Sequence, residues 1–242
     1  MISRYLIALL IGALAACGRP GAEAARRSGG APAGGSASDE AARPAVVFLG
    51  TSLTAGLGLD PEQAYPALIQ HKIDSAGLPF RVVNAGVSGE TSAGARRRID
   101  WVLRDRTAVL VIETGANDGL RGQEPESVRA NIQAIIDRAR AASPPPAIVL
   151  VAMEALPNYG ERYARRFREI YPALAAANQV PLVPFLLEGV AGVDSLNQPD
   201  GMHPTAAGQR IMADRVWRVL EPVLAARRAR EVGAGEVRAR WR

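Results

Sequence analysis

The chain has 242 residues, 48% of them hydrophobic, which is enough to bury one substantial core but too few for two ordinary domains with linkers. Its net charge of +5 comes from arginines that are scattered along the sequence, which argues against a nucleic-acid-binding protein. A single cysteine excludes an intramolecular disulfide framework.

Residues 1–17 predict an export signal that ends at a lipidated cysteine. A positively charged start precedes an apolar run, Tyr5 to Ala16, which is too short to span a bilayer. The run ends in Leu14-Ala15-Ala16-Cys17, which resembles the lipobox of bacterial lipoproteins. We therefore expect an exported protein of the bacterial cell envelope, on its periplasmic or extracellular face, anchored to a membrane through Cys17. An ordinary signal peptide that happens to contain a cysteine is the alternative.

Two further segments flank the predicted domain, which spans residues 44–226. Residues 18–43 are dominated by Gly, Ala, Ser, Pro and charged residues without an apolar period, so they predict a flexible tether. Residues 227–242 form a basic stretch that we interpret as a frayed tail. Solvated surface charge is the favoured interpretation of its arginines, and contact with an anionic lipid surface is the alternative.

From Pro44 to Ala226 the sequence alternates between strand-like and helix-like segments. The strand-like runs are continuously apolar, as expected when helices cover both faces of a sheet, so we predict a parallel sheet in a three-layer α/β/α domain. The predicted strands are Ala45–Leu49, Phe80–Asn84, Ala108–Glu113, Ala147–Ala152 and Val180–Val183. The predicted helices are Pro66–Ala76, Ala93–Arg104, Pro125–Ala142, Gly160–Ala177 and Thr205–Ala226.

Polar and glycine-rich residues follow each of the first three predicted strands. Ser52 follows the first strand, Gly86-Val87-Ser88-Gly89 follows the second, and Gly115-Ala116-Asn117-Asp118 follows the third. In open parallel sheets, ligands bind outside the carboxyl ends of the strands. We therefore expect these residues to meet in one site.

A serine nucleophile requires a base, and the chain offers only two histidines. His71 lies on a predicted helix, off its apolar face, which indicates a solvated side chain. His203 lies in a Gly- and Pro-rich stretch three residues after Asp200, a carboxylate that can orient it. A helix-capping role, or a metal site shared with Asp200, is the alternative for His203. Because two ligands rarely hold a metal, we expect no metal and no cofactor.

Acyl transfer also requires donors for the developing oxyanion. The backbone N–H groups of Ser52 and Gly89 and the side-chain amide of Asn117 are the candidates, although Gly89 and Asn117 are also ordinary turn residues. Ser88 is a competing candidate for the nucleophile, but no partner for it is evident in the sequence.

Ordered sequence blocks between Val46 and Leu224 resemble the SGNH (GDSL) hydrolase family, most closely its acyl-CoA thioesterase I/lysophospholipase and arylesterase branch. The blocks are Gly50–Gly56, Val82–Ser92, Glu113–Gly122, Leu156–Gly160, Pro181–Phe185 and Asp200–Pro204. The resemblance implies the SGNH hydrolase fold with a flavodoxin-like five-stranded sheet. It also implies that Ser52 is the nucleophile, that Gly89 and Asn117 complete the oxyanion hole, and that His203 and Asp200 complete the triad.

One position departs from the family pattern, because Thr51 stands where the usual GDSL block has aspartate. Threonine can donate a hydrogen bond but carries no charge. We therefore expect a less tightly fixed serine and an effect on rate rather than a loss of activity.

The substrate is predicted only as a class. Apolar loop residues are candidates for the lining of an acyl groove, namely Leu156, Tyr159, Phe185 and Leu186. They favour short or medium acyl esters, aryl esters or lysophospholipids, hydrolysed as esters or thioesters. A carbohydrate-ester deacetylase with the same triad, or a non-catalytic binding lipoprotein on this fold, is the alternative.

Overall fold

The computed structural model describes residues 42–104 and 106–240. The predicted signal segment, Cys17 and nearly all of the predicted tether lie outside these ranges. Within the described part of the chain, no helix combines the length and the apolar character needed to cross a membrane.

Five parallel strands form one sheet, as the sequence predicts. The strands are β1 (Ala45–Gly50), β2 (Arg81–Gly86), β3 (Thr107–Ile112), β4 (Ala147–Val151) and β5 (Leu182–Val183). Their order is β2-β1-β3-β4-β5, with parallel pairing throughout, which is the flavodoxin-like order. The predicted α/β fold class is therefore confirmed, and the order of strands reverses direction beside β1.

Helices connect and cover the strands. They are α1 (Ser52–Ala55), α2 (Tyr65–Ser75), α3 (Ser92–Val102), α4 (Ala116–Leu120), α5 (Pro125–Arg140), α6 (Glu161–Arg168), α7 (Ile170–Asn178) and α8 (Ala206–Arg240). Short 3₁₀ turns occupy Pro61–Gln63, Pro157–Tyr159 and Asp194–Leu196. Helix α2 packs against α8, whereas α3 and α7 both pack against α5.

The core lies along the two central strands. Every residue of β1 and β3 is buried, because each of these strands has a strand on both sides and helices over its faces. Strand β2 is an edge strand and is only partly buried, which agrees with the polar residues Arg81 and Asn84 within it. The central strands thus provide a rigid base for the residues that follow them.

Two helix boundaries differ from the prediction. The single helix expected over Gly160–Ala177 is divided at Glu169 into α6 and α7. Pro172 accounts for the division, since proline has no N–H to donate to the carbonyl of Arg168 and its ring crowds that carbonyl.

The helix predicted over Thr205–Ala226 continues to Arg240 in the structure. The sequence after Ala226 is rich in Ala, Arg and Glu, which are strong helix formers. An ion pair between Arg227 and Glu231, four residues apart, adds to the helix.

Gln209 joins the C-terminal helix to the beginning of the domain. Its side chain is buried, accepts a hydrogen bond from the N–H of Tyr65 at 2.8 Å, and donates one to the carbonyl of Leu53 at 3.3 Å. The N-terminal end of α8 is therefore held against α1 and α2, which surround Ser52.

Candidate active site

Ser52 lies at the point where β1 ends and α1 begins. Thr51 is the N-cap of α1, and its hydroxyl accepts a hydrogen bond from the N–H of Leu53 at 3.4 Å. Gly56 ends this single helical turn in the left-handed conformation, with φ +72°. The Ser52 side chain is thereby placed at the carboxyl edge of the sheet with only 8% of the residue exposed.

His203 and Asp200 approach Ser52 from the loop that precedes α8. The Ser52 Oγ atom lies 3.0 Å from His203 Nε2, and His203 Nδ1 lies 2.6 Å from Asp200 Oδ2. Because an ionised carboxylate can only accept, His203 donates its Nδ1–H to Asp200 and leaves Nε2 free to accept the serine proton. The three predicted triad residues are therefore brought together, although 151 positions separate Ser52 from His203.

Asp200 is held ionised by donors from its own loop. Its Oδ1 atom accepts the N–H of His203 at 3.0 Å and the N–H of Met202 at 2.9 Å. The backbone N–H of His203, followed by the His203 side chain and the Met202 N–H, holds the pKa of Asp200 well below its usual range. Asp200 therefore orients the imidazole as a carboxylate across the whole neutral range.

Apart from the Ser52 N–H, the predicted oxyanion donors come from the segments after β2 and β3. Gly89 has φ +76°, a conformation that favours glycine. The backbone N–H groups of Ser52 and Gly89 donate to no acceptor among the described residues, so both are free to bind a ligand. The Asn117 side-chain amide donates to the carbonyl of Glu90 at 3.0 Å, which holds it beside the Gly89 loop.

An ion pair supports the loop that carries Gly89. The Arg98 guanidinium donates hydrogen bonds to the Glu90 carboxylate. Its Nε lies 2.8 Å from Oε1 and 2.9 Å from Oε2, and its Nη2 lies 2.6 Å from Oε2. The same Nη2 atom donates to the carbonyl of Ala85 at 2.7 Å, at the end of β2. Arg98 thus connects helix α3 to both ends of the loop over residues 86–91.

Thr51, the position that departs from the family pattern, is tied to a buried carboxyl group. Glu113, directly after β3, accepts the Thr51 N–H at 2.8 Å and the Thr51 hydroxyl at 3.0 Å. Glu113 is completely buried, and burial raises its pKa to about 7 against the opposing effect of its hydrogen bonds. Threonine therefore fixes the turn before Ser52 with donors that carry no charge of their own.

An apolar cleft of about 450 Å³ opens above Ser52 and His203. Its lining includes Leu57, Leu120, Leu156, Phe185, Leu187 and Met202. Two of the residues expected to line an acyl groove, Leu156 and Phe185, are among them.

The other two groove candidates do not line this cleft. Leu186 is fully buried in the core, and its neighbour Leu187 faces the cleft instead. Tyr159 lies on the surface and donates its hydroxyl to the carbonyl of Leu120 at 3.2 Å. The aromatic ring of Tyr159 packs on Tyr163 rather than in the cleft.

The competing candidates lie apart from this arrangement. His71 is exposed on α2 and lines a different, shallow depression beside Trp217. Ser88 is exposed and has no hydrogen bond to either histidine. In the ranges that the structure describes, no three His, Cys, Asp or Glu side chains gather as a metal site.

Two supporting residues were not singled out from the sequence. Glu113 belongs to a recognised block but was read only as the end of a strand, and a charged residue at the end of an apolar strand is the signal that points to a buried partner. Arg98 is one of three consecutive arginines, and no sequence pattern distinguishes it from Arg96 and Arg97.

Comparison with known proteins assigns the chain to a family. Residues 48–211 match the model of the GDSL-like Lipase/Acylhydrolase family. The chain is 41% identical to esterase TesA of Pseudomonas aeruginosa over 186 residues, which cover 76% of this chain and 92% of that protein. It is 36% identical to thioesterase 1/protease 1/lysophospholipase L1 of Escherichia coli over 185 residues, which cover 76% of this chain and 86% of that protein.

The structure agrees with these relatives. A crystal structure of TesA matches with a TM-score of 0.70 at 40% identity, covering 74% of this chain and 99% of that one. The resemblance that the sequence blocks indicated is confirmed. The chain is a carboxylic ester hydrolase, and it belongs to the GDSL-like lipase/acylhydrolase family.

Proposed function

We propose that Ser52, His203 and Asp200 are the catalytic triad of this esterase, and that it hydrolyses short or medium acyl esters, aryl esters or lysophospholipids. One observation carries the proposal: the hydrogen-bond chain from Ser52 Oγ through the imidazole to Asp200 begins at the floor of an apolar cleft. A nucleophile, an oriented base and a pocket for an acyl chain are thus present together.

The mechanism passes through an acyl-enzyme. His203 Nε2 takes the Ser52 proton as Oγ bonds to the carbonyl carbon, and the carbonyl oxygen becomes an oxyanion beside the N–H groups of Ser52 and Gly89 and the Asn117 amide. His203 then gives its proton to the leaving alcohol or thiol as the ester bond breaks. Water attacks the acyl-enzyme carbonyl and loses a proton to His203. His203 returns that proton to Ser52 Oγ as the acyl–oxygen bond breaks, which releases the carboxylic acid and free Ser52.

The lining of the cleft favours an acyl chain over a sugar. Leu57, Leu120, Leu156, Phe185 and Met202 offer apolar surface and few groups that can pair with hydroxyls. A deacetylase for carbohydrate esters would gain more from hydrogen-bonding groups around the serine. The aligned triad likewise argues against a protein that only binds lipids.

The test is hydrolysis of p-nitrophenyl acetate, butyrate, octanoate and palmitate by the full-length protein. Ser52→Ala removes the attacking oxygen and is expected to lower kcat/KM more than roughly 1,000-fold on every ester. Ser88→Ala, in the loop after β2, is the matched control and is expected to keep wild-type rates. Equal loss in both variants, or an inactive wild type, would contradict the assignment of Ser52.

The same panel tests the substrate class. Each methylene group that the cleft buries in the transition state is worth about 0.8 kcal/mol, or roughly fourfold in kcat/KM. Rates are expected to rise from acetate to octanoate and then to level off when the chain outgrows the cleft. A maximum at acetate would instead favour the deacetylase.

We also propose that the protein works at the cell envelope, attached to a membrane through Cys17. The short apolar leader and the Leu14-Ala15-Ala16-Cys17 block support this location. The described domain carries the whole proposed site, so the anchor is not needed to build it.

A further inference from the structure

Glu113 is a buried carboxyl group that the mechanism above does not use. It lies where β3 ends, under the turn that carries Ser52, with 0% of the residue exposed. Besides the two hydrogen bonds from Thr51, its Oε2 atom accepts the hydroxyl of Thr54 at 2.8 Å. An ionisable group without access to water is retained only where its partners compensate for burial.

All of these partners donate toward the carboxyl group. The Thr54 hydroxyl has one hydrogen, which it gives to Glu113, so the Tyr65 hydroxyl 2.8 Å away must be the donor to Thr54. Burial raises the pKa of Tyr65 well above its ordinary value, and the charge of Glu113 adds to the effect, so the phenol keeps its proton. The network is therefore arranged for a carboxylate.

The carboxyl group also packs directly against the backbone of the turn. A Cβ atom on Gly50, the last residue of β1, would come within 2.0 Å of Thr54 Oγ1 and 2.8 Å of Glu113 Oε2. Glycine is required at this position because the carboxyl group and Thr54 fill the space. The Ser52 turn is thus held both by donors on either side of the serine and by close packing.

Building on the proposed function, we propose that Glu113 is a positioning residue of the reaction: its carboxylate, bonded to Thr51 and Thr54, fixes the turn that aims Ser52 at His203. Thr51 suits this role because it offers a neutral donor. An aspartate at the same place would bring a second carboxyl group against Glu113, and one of the two would have to hold a proton.

Other ionisable groups around Glu113 do not titrate near neutral pH. The phenols of Tyr65 and Tyr171 are buried and have raised pKa values. The Arg98 guanidinium, paired with Glu90, reaches the last carbonyl of β1 at 3.3 Å and stays charged. A change in rate between pH 5 and 8 that disappears with the Glu113 carboxyl group is therefore assigned to that group.

The test compares wild type with Glu113→Gln on p-nitrophenyl butyrate from pH 5 to pH 8. Glutamine imitates the protonated acid, so kcat is expected to fall roughly 10- to 100-fold at pH 8 with little change in KM. At pH 5 the two proteins are expected to have similar rates, and the ratio of their rates should rise with a midpoint at about pH 7. Taking the ratio cancels every pH effect that the two proteins share.

Controls distinguish a loss of positioning by Glu113 from a loss of folding stability and from a failure of the proposed function. Ile148→Val, a buried change on β4, is expected to lower the melting temperature without changing kcat or the pH profile. A wild type that is inactive, like Ser52→Ala, would overturn the proposed function. An active wild type with a pH-independent ratio, or with an unchanged kcat in Glu113→Gln, would overturn only the role of Glu113.

A second variant keeps the proposal testable if Glu113→Gln fails to fold. Thr51→Val keeps the shape of threonine but removes its hydroxyl donor, and it is expected to lower kcat several-fold at unchanged KM. Wild-type kcat in a folded Thr51→Val protein would count against the proposal.

Discussion

At the scale of single residues, Glu113 places function and stability in opposition. Its carboxylate anchors the Ser52 turn. Burial raises the pKa of Glu113 to about 7, so ionising this group at neutral pH lowers the free energy of unfolding. An unfolded glutamate ionises near pH 4.3, and between that pH and 7 the folded chain keeps a proton that the unfolded chain releases. Raising the pH through this window therefore favours unfolding.

This opposition gives a prediction for Glu113→Gln, which cannot ionise. The wild type is expected to lose about 2–3 kcal/mol more unfolding free energy than the variant between pH 5 and pH 8. Urea denaturation of both proteins at the two pH values measures the difference, and titrations common to both cancel. Parallel loss in the two proteins would show that Glu113 keeps one protonation state throughout.

At the scale of elements, the site is assembled at the ends of three neighbouring strands. Ser52 follows β1, the Gly89 loop follows β2, and Asn117 lies in α4 after β3. Asp118, next to Asn117, accepts the N–H of Ser92 at 2.7 Å and so fixes α4 against the beginning of α3. Helix α3 therefore holds both segments that carry the predicted oxyanion donors.

Helix α3 acts on the Gly89 loop through Arg98, which leads to a second prediction. Arg98→Lys keeps the charge but loses the two-pronged grip on Glu90, whose carbonyl holds the Asn117 amide. The oxyanion donors are then held less firmly, and kcat is expected to fall roughly tenfold with little change in KM. Steady-state kinetics on p-nitrophenyl butyrate measures this change.

The matched control for this variant lies one residue away. Arg97 is exposed on the same helix, and Arg97→Lys is expected to keep wild-type kinetics. A similar loss of kcat in both variants would assign the effect to the helix surface rather than to the grip on Glu90.

The elements show which features the sequence could predict. The five strands and the helices α2, α3 and α5 were placed within a few residues because their apolar periods are strong and their ends carry Gly, Pro or polar residues. The contact of Ser52 with His203 and of His203 with Asp200 was also predictable, since the chain has only two histidines and one of them follows an aspartate in a loop. The break at Glu169 was predictable in principle from Pro172, four residues after Arg168.

Other features depend on packing that no local pattern encodes. Leu186 and Leu187 are equivalent in the sequence, but only the second faces the cleft because of the direction in which the chain leaves β5. Arg98 differs from Arg97 only in the side of α3 that it occupies and in the carbonyls within its reach. The contacts of Arg98 can be inferred only when the order of strands in the sheet is known, because that order places β2 beside β1.

At the scale of the whole molecule, the domain contains every residue of the proposed site, and the proposed attachment to a membrane depends on Cys17 instead. In a bacterial host that processes lipoproteins, the full-length protein is expected in the membrane fraction, and Cys17→Ala is expected in the soluble fraction with the same specific activity. Fractionation followed by an esterase assay measures both.

Ser28→Ala, within the predicted tether, is the control for this experiment and is expected to remain with the membrane. A wild type recovered in the soluble fraction would favour the ordinary signal peptide that contains a cysteine.

The bridge that Gln209 makes between α8 and the first helices has a consequence for timing. Ribosomes make the chain from its N-terminus, so Ser52 exists long before His203 and before the helix that Gln209 docks. A chain that ends before His203 has Ser52 without its proposed base, and we expect it to hydrolyse no esters. The proposed site is complete only when His203 lies beside Ser52 and Gln209 bonds to Tyr65, so esterase activity reports that the two ends of the domain have come together.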